Sequence, residues 1–290
     1  MVKTYFCLLK NIVHSIGITK GNYTNGVYNI RTVKGGRLHK IIGIEHALQV
    51  KALTVTGKIN VMDLYFILHM DNLEVLNLRN AIYPKRQRKD EMEKSRLRRE
   101  MLRNKKHLKE IWFPNSLKSV PCELFKDCIA LEHVILPKSV KTICSHAFSN
   151  SGIKELVIPA SVEAVEASAF DNCRNLKQIK VEDSEKLLKW KGEQFRNCPN
   201  LQEIYLGRNS AIEYALITDA PVNRLVLGEN IHNMNFDIIN TKNLICLMKH
   251  PPRLPNYISA ENVYVKQNFE HYWLHPEWNK RKLIKMNHKA

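Results

Sequence analysis

The chain has 290 residues, 45 of them Lys or Arg and 28 Asp or Glu, for a net charge of +17. A hydrophobic share of 44% with 25% charged residues excludes wholesale disorder, and no apolar run approaches the ~18 residues of a membrane-spanning helix. Seven cysteines without a C-x-x-C pair argue against a disulfide framework and against a zinc site.

At the N-terminus a charged start precedes the apolar stretch YFCLL. Lys10 and His14 interrupt that stretch, and no small-residue cleavage site follows, so the segment reads as mature sequence. Residues 1–49 are expected to form a cap, with a helix around 37–48.

From Val50 onward the chain repeats. Units fitting L-x-x-[IL]-x-[LIV] begin at Val50, Leu73, Leu108, Leu131, Ile153, Leu176, Leu201, Val222 and Leu244, at intervals of 23, 35, 23, 22, 23, 25, 21 and 22 residues. Each unit opens with a short alternating segment such as LEVLNL or LEHVIL, which predicts a strand with positions 1, 4 and 6 inward. Pro114, Pro137 and Pro159 end three of these strands, because proline cannot donate to a ladder. A second apolar segment follows, with Phe125, Phe148, Phe170 and Phe195 at matching places. Such a coil cannot bury its own apolar face; stacked coils bury it jointly as a solenoid. Cys128, Cys173 and Cys198 each stand three residues before a unit, where small buried residues are expected, with Asn150 in that place in the remaining coil.

The 35-residue interval and the C-terminal tail together carry most of the net charge. Lys85 to Lys109 holds twelve basic and four acidic residues, and 280–290 holds five basic and none acidic. Residues 84–107 therefore read as a basic insertion between coils, with an amphipathic helix over 90–104. Residues 250–290 read as the closing cap and a basic tail. There Val263 and Val265 form a final strand, and Tyr272, Trp273 and Trp278 cover the end of the core.

LEHVILPKSVKTICSHAFSNSGIKELVIPASVEAVEASAFDNCRNLKQI resembles the BspA-type leucine-rich repeat family over two full units. The resemblance extends over about residues 36–286 and implies an α/β leucine-rich-repeat solenoid with a curved parallel sheet of short strands, one per coil, capped at both ends. It also implies a surface, adhesin-like role. The absence of a convincing signal and the basic insertion depart from the family pattern, so a cytoplasmic location stays open beside a surface one.

Three candidate surfaces follow. On the concave sheet, position 5 runs Asn77, Trp112, Ile135, Val157, Lys180, Tyr205, Val226 and Met248. Position 3 runs Val75, Glu110, His133, Glu155, Gln178, Glu203, Arg224 and Cys246. Asn77, Trp112, His133, Ile135, Val157, Lys180, Tyr205, Arg224 and Val226 are the candidate contact residues for a protein or glycan, with Trp and Tyr the usual hot-spot types. The same residue types also suit strands for packing reasons alone. The second surface comprises Arg86, Arg88, Arg96, Arg98, Arg99, Arg103, Lys105 and Lys106, a cationic set for nonspecific polyanions. It lacks a motif for specific nucleic-acid recognition. Third, His133 lies between Glu110 and Glu155 across strands, but an open sheet excludes water poorly and no catalytic motif accompanies the trio. The expectation is a monomeric, non-catalytic binding module without metal or cofactor. The alternatives are a polyanion binder acting through the insertion and tail, and a structural fragment of a larger assembly.

Overall fold

The computed structural model describes residues 23–83, 97–212, 222–232, 234–235, 239–251, 258–266 and 268–286. The chain divides into two compact units, Met1–Leu73 with Asn80–Arg96, and Glu74–Arg79 with Leu97–Ala290.

In the first unit Tyr23–Thr24 pairs antiparallel with Val27–Thr32. Asn25 and Gly26 between them both take positive φ, 54° and 81°, the conformation a two-residue hairpin turn needs. Val27–Thr32 then lies parallel to Ala52–Lys58, with Val27 opposite Ala52 and Thr32 opposite Gly57. A strand thus precedes the first coil start read from the pattern. The helix expected over 37–48 is two pieces, an α-helix Leu38–Ile42 and a 3-10 helix Ile44–Gln49, parted at Gly43.

A further helix, Val61–Leu68, is closed by a capping box between Asn60 and Asp63. Asp63 is fully buried and serves both helices. It accepts from the N–H groups of Gly36 at 2.5 Å, Leu38 at 2.9 Å and Asn60 at 2.9 Å. These donors head helices and have no carbonyl partner of their own.

The second unit is a parallel-strand solenoid. Val75–Asn77, Glu110–Trp112 and His133–Ile135 pair in register. Glu155–Ile158, Gln178–Val181, Glu203–Leu206, Val222–Leu227, Ile239–Cys246, Ile258–Val265 and Leu283–Lys285 form the next ladder. In six coils the second apolar segment is also a strand. Ser119–Val120, Thr142–Ile143, Ala164–Val165, Leu188–Trp190, Ser210–Ile212 and Met234–Asn235 form a separate parallel ladder. Six coils therefore carry two strands each, and the one α-helix among the described residues of this unit is Phe269–Leu274.

Phe125, Phe148, Phe170 and Phe195 stack along the interior. Successive ring centroids are 5.4, 5.8 and 5.6 Å apart and planes lie within 15° of parallel. Phe125, Phe148 and Phe170 are each flanked by one left-handed residue before and one after, Glu123 and Asp127, His146 and Asn150, and Ser168 and Asn172, while among non-glycine residues Phe195 has Asn197 alone, after it. Asn and Asp tolerate that region best. Their side chains also link coils: Asn172 Nδ2 donates to Asn150 Oδ1 at 2.8 Å, and Asn150 Nδ2 to Asp127 Oδ1 at 2.9 Å.

Four expectations need correction. First, Asn150 does not take the cysteine slot. Cys128, Cys173 and Cys198 donate their thiols to the carbonyls of Leu102, Phe148 and Phe170, and the residue three beyond Phe148 is Ser151, which is buried. The missing residue of that coil falls after the slot, at Gly152. A Cβ there would lie 2.2 Å from the Ile129 carbonyl oxygen.

Second, residues 97–107 are coil rather than insertion. Glu100 N–H donates to Cys122 O and Asn104 N–H to Lys126 O, as Glu123 and Asp127 do toward the following coil. Leu102 is buried in the Phe position. Residues 97–104 form turns where a helix was expected, and the rest of that helix lies outside the described residues.

Third, the coil assigned to Leu244 begins at Thr241. The register sets Arg224 opposite Asn243 and Val226 opposite Ile245, so Cys246 and Met248 are buried. A threonine is accommodated inside because its hydroxyl donates to the Val222 carbonyl at 2.9 Å. Fourth, Val263 and Val265 are followed by another strand, Leu283–Lys285. Tyr272 and Trp278 are buried edge to face, 5.0 Å apart, whereas Trp273 is 56% exposed.

Candidate binding face

Strand alternation sends one set of side chains inward and the other onto an open face. Leu76, Ile111, Val134, Leu156, Ile179 and Ile204 are buried. Between them, Asn77 and Trp112 are half-buried, while Ile135 is 53% and Val157 47% exposed. Lys180 is exposed and Tyr205 half-buried. Val226, expected on this face, is buried; it is registered between the larger side chains of Tyr205 and Ile245, which shield it.

The two aromatics already have intramolecular partners. The Arg79 guanidinium lies 6.0 Å from the Trp112 ring and the Lys180 ammonium 5.6 Å from the Tyr205 ring, both within cation–π range. The Tyr205 hydroxyl donates to Asp183 Oδ1 at 2.9 Å. Burial, that hydrogen bond and the charges of Asp183 and Glu229 push the phenol up to about 12, so it remains a donor at neutral pH. These contacts fix both rings before any ligand arrives, which lowers the entropy lost on binding.

The neighbouring column is polar. His133 is exposed, and Arg224 pairs with Glu203 at 3.0 Å. Glu203 also accepts from Gln178 at 2.7 Å. Glu110 lies opposite His133, but Glu155 opens the next sheet, so the trio is not one continuous ladder.

Two members of the cationic set, Arg99 and Arg103, are paired with acids. Arg86, Arg88 and Arg96 lie outside the described residues. Arg99 contacts Glu123 at 2.6 Å and Glu100 at 2.9 Å. Arg103 contacts Glu123 and Asp127, each at 3.3 Å. Burial pushes the Glu123 carboxyl up, but the Arg99 hydrogen bond and the charges of Lys126, Arg99 and Arg103 outweigh it and hold the group below its usual range. Lys105 is buried in the slot that Cys128 occupies in the next coil. Arg98 is half-buried and Lys106 exposed. Glu123→Gln removes the charge that holds Arg99 and Arg103, and is expected to raise the salt needed to elute the protein from heparin. Unchanged elution would mean that these arginines are open to anions already.

Residue periodicity also hid a pair of half-exposed thiols, Cys122 and Cys144. Their 22-residue separation, the length of one coil, was the available signal.

Residues 95–219 match the BspA type leucine rich repeat region in six copies. The repeats within this stretch are BspA-type leucine-rich repeats. The matched stretch includes 97–107, in agreement with the coil seen there. No curated protein matches the chain. Among solved structures, a leucine rich cell surface protein from Faecalibacterium prausnitzii is similar at 15% identity and a TM-score of 0.37, over 83% of this chain and 74% of its own. A leucine-rich repeat protein from Bacteroides ovatus is similar at 13% identity and a TM-score of 0.35, over 82% of this chain and 76% of its own. The pneumococcal vaccine antigen PcpA is similar at 13% identity and 0.24, over 82% and 84%. The described residues contain no helix long and apolar enough to cross a membrane and no group of three or more His, Cys, Asp or Glu arranged to hold a metal.

Proposed function

We propose that this BspA-type repeat chain is a non-catalytic binding module that holds a protein or glycan on the strand face around Trp112, Ile135 and Val157. The observation that carries the proposal is the exposure of Ile135 and Val157 in the middle of strands, beside a half-buried Trp112. Two apolar side chains left open to water on adjacent coils gain about 25 cal/mol per Å² when a partner covers them. Glu110, His133 and Glu155 border them with groups that accept or donate hydrogen bonds. The repeat family supports extending the role to a surface, adhesin-like one.

The test uses a glycan array and a displayed peptide library as probes. Trp112→Ala with Tyr205→Ala is expected to weaken the strongest ligand about 30-fold or more, the scale of removing a hot spot of about 2 kcal/mol. Circular dichroism controls for the fold. Unchanged affinity in a folded double variant would count against the strand face.

A further inference from the structure

Two cysteines differ in setting from the others described. Cys128, Cys173 and Cys198 are buried and hydrogen-bonded to carbonyls of the preceding coil, and Cys246 is buried. Cys122 and Cys144 are half-exposed on consecutive coils.

The backbone sets this pair diagonally across one rung. Val120 lies opposite Ile143, and Cys144 N–H donates to Val120 O at 2.9 Å. One step further, Glu123 N–H donates to Ser145 O at 3.1 Å. Cys144 is therefore level with Pro121, one residue short of Cys122. With rungs about 4.8 Å apart and about 3.3 Å per residue, the two Cα atoms are roughly 6 Å apart, close to the usual separation across a disulfide. Cys122 is also among the groups that raise the Cys144 thiol, as expected of two neighbouring thiols.

We propose that Cys122 and Cys144 form a reversible disulfide that staples two successive coils, closed by a small-molecule disulfide as oxidant. The Cys122 thiolate attacks one oxidant sulfur, breaking its S–S bond and releasing the first small thiol. The Cys144 thiolate then attacks the Cys122 sulfur of the mixed disulfide, forming the protein S–S bond and releasing the second small thiol. Two protein thiols are oxidised, and the oxidant's S–S bond is reduced to two thiols that take up the two protons.

The second attack is the slow one. Burial, Cys122 and the Glu166 charge push the Cys144 thiol up to about 12. Cys122 faces it from the preceding coil and Glu166 from the following coil, where Lys191 pairs with Glu166 at 3.2 Å. In the mixed disulfide Cys122 no longer titrates, and burial with the Glu166 charge still keeps the Cys144 thiol above its ordinary value; below its pKa the reactive thiolate increases about tenfold per pH unit, and closure should follow it.

The test treats the full chain with oxidised glutathione between about pH 7 and pH 9, a range below the Cys144 value. Samples are quenched in acid, alkylated and digested with trypsin. Cleavage after lysine isolates Cys122 in residues 119–126 and Cys144 in residues 142–154, with Cys128 on a separate peptide. The expected product is the 119–126/142–154 cross-link, forming faster as pH rises and opening with reductant. Cys144→Ser should instead accumulate glutathione on Cys122. Two unlinked thiols, or two separate glutathione adducts, in the wild-type chain would overturn the proposal, as would a closure rate indifferent to pH. A cross-link from Cys122 to Cys128 in place of Cys144 would also overturn it.

Discussion

Phe148→Ala is expected to destabilise the second unit by about 3–5 kcal/mol, the range for removing a buried Phe from a packed core. Phe148 is fully buried, between Phe125 at 5.4 Å and Phe170 at 5.8 Å, with nearly parallel rings on both sides. Truncation breaks two ring contacts at once and leaves a cavity that the flanking coils cannot fill, because their backbones are fixed by ladder bonds above and below. In a solenoid each coil is stabilised mainly by its neighbours, so a lost interface loosens coils on both sides. Urea unfolding measures the loss, and hydrogen exchange should show faster opening around Phe125 and Phe170. Ile135→Ala is the control; its side chain is 53% exposed, and the change should stay within about 0.5 kcal/mol. Comparable effects from the two variants would contradict the assigned faces.

Asp63→Ala is the second large effect, expected to cost the first unit about 3 kcal/mol or more. It deprives three N–H groups of their acceptor, and each buried group left unsatisfied costs about 1–3 kcal/mol. Gly36 and Leu38 introduce one helix and Asn60 caps the other, so both helix starts should fray together. Asp63→Asn should recover little. One carboxylate oxygen becomes an NH₂ group facing N–H donors, and Oδ1 and Oδ2 both accept in the native fold. Hydrogen exchange at 36–38 and 60–63 reads the effect directly. An Asp63→Asn protein as protected as the native one would rule out the two-oxygen arrangement.

The solenoid was legible wherever the buried positions hold Leu, Ile, Val or Phe, because their recurrence is what burial demands. It was misread where a polar side chain occupies an inward slot. Thr241 is buried with its hydroxyl bonded to Val222, Ser151 is buried against Cys173 at 3.6 Å, and Lys105 fills a cysteine position. A long lysine stem can cover apolar surface, yet in sequence it reads as charge, which merged a normal coil corner into the basic insertion. The Val61–Leu68 helix had its own signal, Asn60 and Asp63 flanking the start of VMDLYFIL. Alternation placed Ile135 and Val157 outward, but it could not reveal that Val226 would be shielded. That depends on the size of its cross-strand neighbours.

The same limit applies to the cationic set. Twelve basic residues between Lys85 and Lys109 suggest a field for anions when counted in sequence. In the folded chain, acids one coil away, at Glu123 and Asp127, take up Arg99 and Arg103. Coil stacking brings together residues 20 to 24 apart, a separation that a local charge count does not sample.

The strand face is tested most directly by comparing two aspartates of equal starting exposure. Val157 on the strand face and Leu187 away from it are each 47% exposed. Wild-type, Val157→Asp and Leu187→Asp proteins are applied in parallel to the same glycan array and displayed peptide library. Ligands of the wild type should be lost with Val157→Asp and kept with Leu187→Asp. Ligands kept by Val157→Asp, or lost only with Leu187→Asp, would contradict a binding role for the strand face.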